Sequence, residues 1–318
     1  MSDGFAYAID AEGAASTIAI DDAPATRAAM VWTHLTLSDD AVRAWLQRRA
    51  GLPRIIADAL TASETRPRCE PVRDGAVINL RGLSSRGEDQ DDALSSIRIY
   101  VLAGRVWSVS RQPLDAIETA CAKVKAGKVR DPGDLVTAIA TAIAEELDPL
   151  VADLGDSLDD CEEALDARRA FALRRAVTRV RIDAIGLRRF VLPQRVALER
   201  LANLGAEWLS ADDRLHLAAA ADRAARMAEE LDAIRERAAL VHETLTDLRA
   251  EQLDQRSLVI AIVAMVFLPL TFLTGLLGMN VEGIPYANQP WAFWGVVGVC
   301  AGMALAIAAY FIRRHWFR

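Results

Sequence analysis

The chain has 318 residues, of which 52% are apolar and 25% charged, and its formal net charge at pH 7 is −7. This acidic balance argues against nucleic acid as a partner, because proteins that bind nucleic acid carry a basic surface. The four cysteines and four histidines are dispersed, with no zinc-finger or dithiol spacing. The chain also lacks a nucleotide-binding loop and a triad-like set of residues, so an enzyme is disfavoured.

The first third of the chain has the pattern of a mixed α/β region. Three segments are rich in β-branched and aromatic residues and predict strands: 4–10, 76–83 and 96–111. The last of them is expected to fold into a hairpin at Ala103-Gly104. Two short helices are expected between the first two strands. One is capped by Ser38 and ends at Gly51, and the other starts at Pro53.

From Leu114 onward the pattern is helical. Helices are predicted at 114–127, from Asp134 with a kink at Pro149, from about 171 to 204 with an interruption at Pro193, and from Ser210 onward. Ser210 and Asp213 resemble a capping box for the last of these helices.

The helix that starts at Ser210 carries an apolar seam with alternating spacings of three and four residues. Its members are Leu217, Ala220, Ala224, Met227, Leu231, Ile234, Ala238, Val241, Leu245 and Leu248. No glycine or proline follows before Pro269, so one helix of about 65 residues, roughly 100 Å long, is expected to run into the next apolar segment. The alternative is an amphipathic helix of a cytosolic bundle followed by a separate membrane span.

Two uncharged segments predict transmembrane helices: 21 residues from Ser257 to Leu277 and 22 residues from Trp291 to Ile312. As a helix, each is about 30 Å long, the thickness of a bilayer core. Arg256 precedes the first span and residues 313–318 form a basic tail, whereas the connection 281–290 has no lysine or arginine. Both termini are therefore expected in the cytosol, where the thiols would stay reduced. The N-terminus has no basic start or long apolar stretch and does not predict a secretory signal.

One face of the first span is made of small and hydroxylated residues. At about 100° per residue, six positions fall within an arc of about 80°. They are Ser257, Ala261, Ala264, Leu268, Thr271 and Gly275. The opposite face is made of Val259, Val266, Leu270, Leu273 and Leu277. Such a stripe suits close helix packing and the lining of a pore equally well.

A pore along this stripe would need several copies of the chain around an axis, because two spans cannot enclose one. The apolar seam offers surface for that association. Neither span holds an acid, lysine, arginine or histidine, so a proton relay or a charged site in mid-membrane is not expected. A cation on this path would meet hydroxyls and carbonyls and keep much of its water, which suits a strongly hydrated divalent ion.

The pair of C-terminal spans, the triplet Gly278-Met279-Asn280 after the first span and the basic tail together resemble the CorA superfamily of divalent-cation transporters. Within it, the chain is most similar to the branch of bacterial zinc transporters called ZntB, over essentially its whole length. The motifs that carry this similarity are Ser63–Arg68, Gly104-Arg105 with Val109–Arg111, Pro193–Arg195, Met265–Pro269, Thr271–Gly275 and Gly283–Pro285.

The resemblance implies a homopentamer in the bacterial inner membrane, with a cytosolic α/β/α funnel domain and five long first helices around the pore. It implies that Gly278, Met279 and Asn280 lie at the outer mouth. There the side-chain oxygen of Asn280 and the carbonyl of Gly278 would hold a hydrated cation, and Met279 would shape the turn. Thr271 and Gly275 match pore positions of the family.

Leu268 matches a hydrophobic constriction of the family, and other positions depart from its pattern. Magnesium-type members usually follow the triplet with an aromatic residue and a Met-Pro-Glu loop, which this chain lacks, and zinc-type members often have valine in place of Met279. Glu282, the only acid in the outer loop, could attract cations or simply face solvent. No thiol or imidazole lies on the stripe, so no dehydrated protein-ligand metal site is predicted.

The chain is expected to be an α+β membrane protein with six segments. They are a cytosolic α/β and helical funnel domain (1–209), a long stalk helix (210–256), a first transmembrane helix (257–280), an external loop (281–290), a second transmembrane helix (291–312) and a basic cytosolic tail (313–318). The expected partners are other copies of the chain, the lipid bilayer and divalent cations, and no cofactor beyond the transported ion is expected.

The expected function is transport of zinc or another divalent cation through a pentameric pore, with proton coupling and direction left open. One alternative is a magnesium or cobalt channel of the CorA type that is gated by cytosolic metal. The acids at 159, 160, 162 and 163 would be its candidate ligands, or else a solvated helix face. Another alternative is a membrane-anchored coiled-coil scaffold without transport activity.

Overall fold

The computed structural model describes residues 4–36, 40–64, 66–85, 94–166, 169–279, 284, 286 and 289–313. The chain falls into two compact units. The first unit comprises Met1–Leu165 and Phe171–His242, and the second comprises Asp166–Ala170 and Glu243–Arg318.

Seven strands form one sheet in the first unit. They are β1 (Gly4–Ile9), β2 (Ala15–Ile18), β3 (Met30–Thr36), β4 (Arg68–Val72), β5 (Gly75–Leu83), β6 (Leu94–Leu102) and β7 (Arg105–Ser110). Their order across the sheet is β2-β1-β3-β7-β6-β5-β4. Neighbouring strands are antiparallel except β3 and β7, which run parallel.

The three predicted strands are confirmed as β1, β5 and the β6–β7 hairpin. Gly104 makes the hairpin turn with a φ of 74°, a conformation that glycine adopts without strain. Strands β2, β3 and β4 were not predicted. Strand β3 is buried along nearly its whole length, so it lacks the alternation that marks a strand. Strands β2 and β4 lie at the two edges of the sheet, are short and only partly buried, and carry little of that alternation.

Helices cover both faces of the sheet, which confirms the α/β/α expectation. On one face lie α1 (Asp40–Arg48) and α2 (Arg54–Thr61), and the predicted cap Ser38 lies outside the described residues. The core of this face contains Leu35, Val42, Leu46, Ile56, Leu60, Val77, Tyr100, Trp107 and Val109. The other face carries α3 (Asp115–Lys125) and the first half of α4 (Pro132–Glu163). There a Cβ on Gly82 would lie 3.0 Å from Ile143.

The long helices α4 and α5 (Ala170–Ala202) contain the two prolines that were expected to disturb them. The predicted interruption at Pro193 is wrong. The next residue, Gln194, is buried, and its Oε1 accepts a hydrogen bond from the backbone N–H of Arg81 at 2.8 Å, which ties this turn of α5 to β5.

Helix α4 starts two residues before the predicted position. Asp131 is its N-cap and accepts a hydrogen bond from the N–H of Asp134 at 2.9 Å. Pro132 fits the first turn because no N–H is needed there.

Helix α6 (Ala211–Leu277) is continuous over 67 residues. This confirms the predicted stalk that runs into the first span, rather than two separate helices. The helix begins with the predicted capping box. Ser210 N–H donates to Asp213 Oδ2 at 2.9 Å, and Asp213 N–H donates to Ser210 Oγ at 3.1 Å.

The apolar seam of α6 is buried inside the chain. From Leu217 to Val241 every member is less than a tenth exposed. In the same unit, Arg237 of α6 pairs with Glu162 of α4 at 2.7 Å, and Asp232 of α6 pairs with Arg188 of α5 at 2.6 Å. The helices of the chain itself thus flank the seam from Leu217 to Val241, and this part of it is not available for association between copies, contrary to the expectation.

The second unit contains the end of α6 and helix α7 (Ala292–Arg313). Among the described residues, α6 and α7 are the two helices long and apolar enough to cross a membrane, with mean hydropathies of 2.5 and 2.0 over their most apolar stretches. All four cysteines of the chain are free, as expected.

Candidate cation pathway on helix α6

The stripe of small residues on α6 is exposed throughout the second unit. Each of Ser257, Ala261, Ala264, Leu268, Thr271 and Gly275 lies in the helix, and none of them is covered by another part of its own chain. Leu268, the largest of the six, is 74% exposed.

The face of α6 opposite the stripe is less exposed than the stripe. Val266, Leu270, Leu273 and Leu277 are half-buried, whereas Val259 is 54% exposed. Helix α7 also has one covered face, formed by Ala292, Val296, Cys300, Met303, Ala304, Ile307 and Phe311. Within its own chain, the large aliphatic face of α6 is therefore the more covered one. Close packing inside one chain does not explain the small residues of the stripe.

The threonine hydroxyls near the end of α6 present oxygen lone pairs. Thr271 Oγ1 donates its hydrogen to the carbonyl oxygen of Phe267 at 2.8 Å, and Thr274 Oγ1 donates to that of Leu270 at 3.0 Å. Because the hydrogen is used along the helix, the outward side of each oxygen can only accept. Such an acceptor suits a cation or the water around it.

Gly278 and Gly275 differ in whether their surroundings within the chain require a glycine. A Cβ on Gly278 would lie 3.0 Å from the carbonyl oxygen of Thr274, which also accepts the N–H of Gly278 at 2.9 Å. A Cβ on Gly275 would meet no atom within 4 Å. Nothing in its own chain thus requires glycine at position 275.

The helix ends at Leu277, and the predicted mouth residues follow directly. Gly278 and Met279 are exposed, Met279 to 49%. Asn280 and Glu282 lie outside the described residues. Farther along the connection, the ring of Tyr286 lies 5.3 Å from that of Trp291, at the start of the second apolar segment.

The acids of α4 considered as ligands for a regulatory metal are partly neutralised by an arginine. Arg237 donates to Glu162 at 2.7 Å and also to Asp159. These hydrogen bonds, from Glu162 first, raise the pKa of Arg237 above its usual value. The positive charge beside Asp159 and Glu162 is thus the guanidinium group of Arg237.

A second group of acids, which the sequence did not suggest, lies where α4 and α6 begin. Carboxylate oxygens of Asp131, Asp134 and Asp213 lie within 4.8 Å of one another. Burial raises the pKa of Asp131, and the hydrogen bond from the Asp134 backbone opposes that shift. Asp131 is the N-cap of α4, and Asp213 accepts the N–H of Ser210 in the capping box of α6, so capping explains both positions.

The chain matches a family of known transporters over most of its length. Residues 27–314 match the sequence model of the family described as CorA-like Mg2+ transporter protein. The zinc transport protein ZntB of Yersinia enterocolitica serotype O:8 is 29% identical over 313 residues, which cover 98% of this chain and 95% of that protein.

Two further comparisons concern CmaX. The divalent cation transporter CmaX of Pseudomonas aeruginosa is 31% identical over 289 residues, 90% of this chain and 87% of that protein. The structure of full-length CmaX superposes with a TM-score of 0.81 at 28% identity and covers 99% of both chains. With its two apolar helices, this chain is an integral membrane protein. It belongs to the family of CorA-like Mg2+ transporter proteins.

Proposed function

We propose that this protein transports divalent metal cations, zinc foremost, across the bacterial inner membrane as a homopentamer. The observation that carries the proposal is the stripe on α6, which is small, uncharged, bears hydroxyls and is left uncovered by its own chain. Five such stripes around an axis would enclose a path that a single chain cannot. Relatives described as zinc and divalent-cation transporters, similar over nearly the whole chain, support the same function.

The path suits a cation that keeps its water. The stripe offers hydroxyl oxygens and backbone carbonyls but no carboxylate, thiol or imidazole. Cys300 lies on α7, half-buried, and not on the stripe. In the proposed pore Leu268 forms the narrow apolar ring. The amides of Asn280 form a ring at the outer mouth, and Glu282 attracts cations nearby.

In the proposed topology both termini and the first unit are cytosolic, and residues 281–290 lie outside. The arginine before the first span and the basic tail after the second support this orientation under the positive-inside rule.

A magnesium or cobalt channel is the second candidate. The description of the matched family and the presence of Met279 favour it. A path without soft ligands does not by itself select zinc over magnesium, because softness is the main chemical difference between the two ions.

The experiment is cation flux into liposomes that contain the purified full-length protein. Zn²⁺, Mg²⁺, Co²⁺ and Ni²⁺ are offered singly and in competition, from either side, with and without an imposed pH gradient. We expect zinc to cross, and Asn280→Ala to change the rate or the order of preference. Asn288→Ala, the same substitution in the same connection, is the control.

Each other outcome decides between the candidates. Preference for magnesium or cobalt would favour the channel alternative. Zinc flux that is indifferent to the pH gradient would exclude proton coupling, for which the spans contain no acidic, basic or histidine relay. If no divalent ion crosses, the scaffold alternative stands and the transport proposal fails.

A further inference from the structure

A basic cavity of about 630 Å³ lies in the first unit, between the segment after α2 and the middle of α5. Residues that line it include Ser63, Glu64, Arg66, Arg188, Arg189 and Phe190. Its volume is within the range of small-molecule binding sites, about 300–1,000 Å³.

Two arginines of the cavity wall are free of ion pairs within the described part of the chain. Arg66 and Arg189 are exposed, and no described acid forms a salt bridge with either. Arg188 differs because Asp232 holds it at 2.6 Å. Glu64 is the one acid among the lining residues, and its carboxylate lies 3.5 Å from Arg68.

Two further guanidinium groups lie directly behind the wall and are buried. Arg98 is 1% exposed, and its Nη2 donates to the backbone carbonyl of Glu64 at 2.9 Å. Nη1 of the same group has no hydrogen-bond partner in the described residues. Arg81 is 3% exposed and stacks at 3.9 Å over the ring of Phe190, which lines the cavity.

A nearby anion would stabilise the buried, positively charged guanidinium group of Arg98. Burial first, and then the charges of the nearby Arg111 and Arg68, lower the pKa of Arg98 to about 10. Buried charges are normally paired, because an unpaired one carries a large desolvation cost. An anion in front of this wall would supply the missing counter-charge to Arg98 and to the exposed arginines together.

We propose that this cavity is a binding site for a phosphate-bearing small molecule, held by Arg66 and Arg189 in front of the buried Arg98 and Arg81. Guanidinium groups bind phosphate through paired, charge-assisted hydrogen bonds, and several arginines around one cavity match the several oxygens of a phosphate. The inference is independent of the proposed transport function, since no residue of the stripe takes part in it.

The test is titration calorimetry of the full-length protein in detergent, free of divalent cations. The probes are inorganic phosphate, pyrophosphate and adenosine monophosphate, and the one that binds most tightly identifies the ligand class. We expect Arg66→Gln and Arg189→Gln each to weaken binding about tenfold, equivalent to about 1.4 kcal/mol. Arg179→Gln is the matched control, because Arg179 is also an exposed arginine on α5 and does not line the cavity.

Size-exclusion profiles and circular dichroism establish that each variant is folded. Raising the sodium chloride concentration should weaken binding to the wild-type protein, as it does for charge-assisted contacts. The proposal is overturned if the folded wild-type protein binds none of the three probes, or if Arg179→Gln weakens binding as much as the two cavity variants do.

Discussion

Thr271 and Thr274 make the same local hydrogen bond three residues apart on α6 but lie on different faces of the helix. Thr271 belongs to the stripe, whereas Thr274 lies about 60° away from it at 100° per residue. They therefore form a matched pair for testing whether the stripe faces the path of the ion.

We expect Thr271→Val to lower zinc flux in liposomes by roughly threefold to tenfold, which corresponds to the loss of one hydrogen bond of about 1 kcal/mol. Thr274→Val should leave the flux near that of the wild-type protein. Equal effects of the two substitutions would mean that the stripe is not the pore lining.

Gly275 allows a second test at this scale. An added Cβ meets no atom of its own chain within 4 Å, and alanine stabilises a helix interior by about 1 kcal/mol relative to glycine. Gly275→Ala should therefore keep or raise the unfolding temperature and yet reduce flux. Gly302→Ala on α7, where a Cβ also has open space, is the control. Unchanged flux in Gly275→Ala would indicate that the stripe does not line a narrow path.

The stripe is an arrangement that the sequence alone could predict, because its residues share one helix and helical spacing places them on one face. The cavity in front of Arg98 is different. Its arginines come from β5, β6, α5 and the segment after α2, and only the folded chain brings them together. The proximity of Asp131 to Asp213 could not be predicted either, because only the folded chain brings these two residues together.

Among the secondary-structure elements, helices α4 and α6 start next to each other in the first unit. A Cβ on Gly133, in the first turn of α4, would clash with the carboxylate of Asp213 in the first turn of α6. The two starts are therefore in close contact, and the capping box of α6 also supports α4.

Asp213→Ala removes the acceptor for both the N–H and the hydroxyl of Ser210. We expect a loss of about 1–2 kcal/mol in the free energy of unfolding, which is typical of a lost cap. Asp212→Ala, at the exposed neighbouring position, should cost much less. The comparison is made by thermal unfolding of the detergent-solubilised protein, and equal losses would contradict the capping role.

Glu146 gives α4 a pH-dependent contribution to stability. Burial first, and then the charge of Asp115, raise the pKa of Glu146 from 4.5 to about 7. A carboxyl group whose pKa is higher in the folded state destabilises the fold as it ionises. The loss begins near pH 4.5 and is complete above pH 7.

Glu146→Gln should consequently raise the unfolding temperature above pH 7 and have little effect near pH 4.5. The control is Glu145→Gln, at the exposed neighbouring position. Thermal unfolding across this pH range tests the expectation, and a stabilisation that does not depend on pH would contradict it.

The boundaries of helices and strands were predictable from the sequence where the local signals were strong. The continuity of α6 was predictable because no glycine or proline occurs in it before Pro269. The interruption predicted at Pro193 is absent because the hydrogen bond between Gln194 of α5 and Arg81 of β5 helps to offset the local cost of a proline in a helix.

At the scale of the whole molecule, the central question is what surrounds the uncovered face of α6. The proposed pentamer answers it, and the mass of the purified protein in detergent or nanodiscs measures it directly. We expect five copies per particle. A monomer or dimer that still transports zinc would rule out a pore formed by stripes from several chains.

The buried seam of α6 is expected to stabilise each chain by itself. Leu231→Ala should destabilise each chain by about 2–5 kcal/mol, as core truncations do, because Leu231 is fully buried in its own chain. Leu240→Ala, at a position on the same helix that is 60% exposed, is the control. Thermal unfolding measures both. A variant at Leu231 that unfolds like the wild-type protein but loses subunits would restore the seam to an intersubunit role.

The parallel pairing of β3 with β7 has a consequence for how the protein is made. Val31 pairs with Arg105, so β3 keeps one edge without a partner until the ribosome has released the β6–β7 hairpin. Contacts so distant in the chain close slowly, and an open strand edge is prone to pair with other chains. The sheet must therefore pass through an aggregation-prone stage before either apolar helix has been synthesised. Early binding of a chaperone to the nascent chain would protect it there.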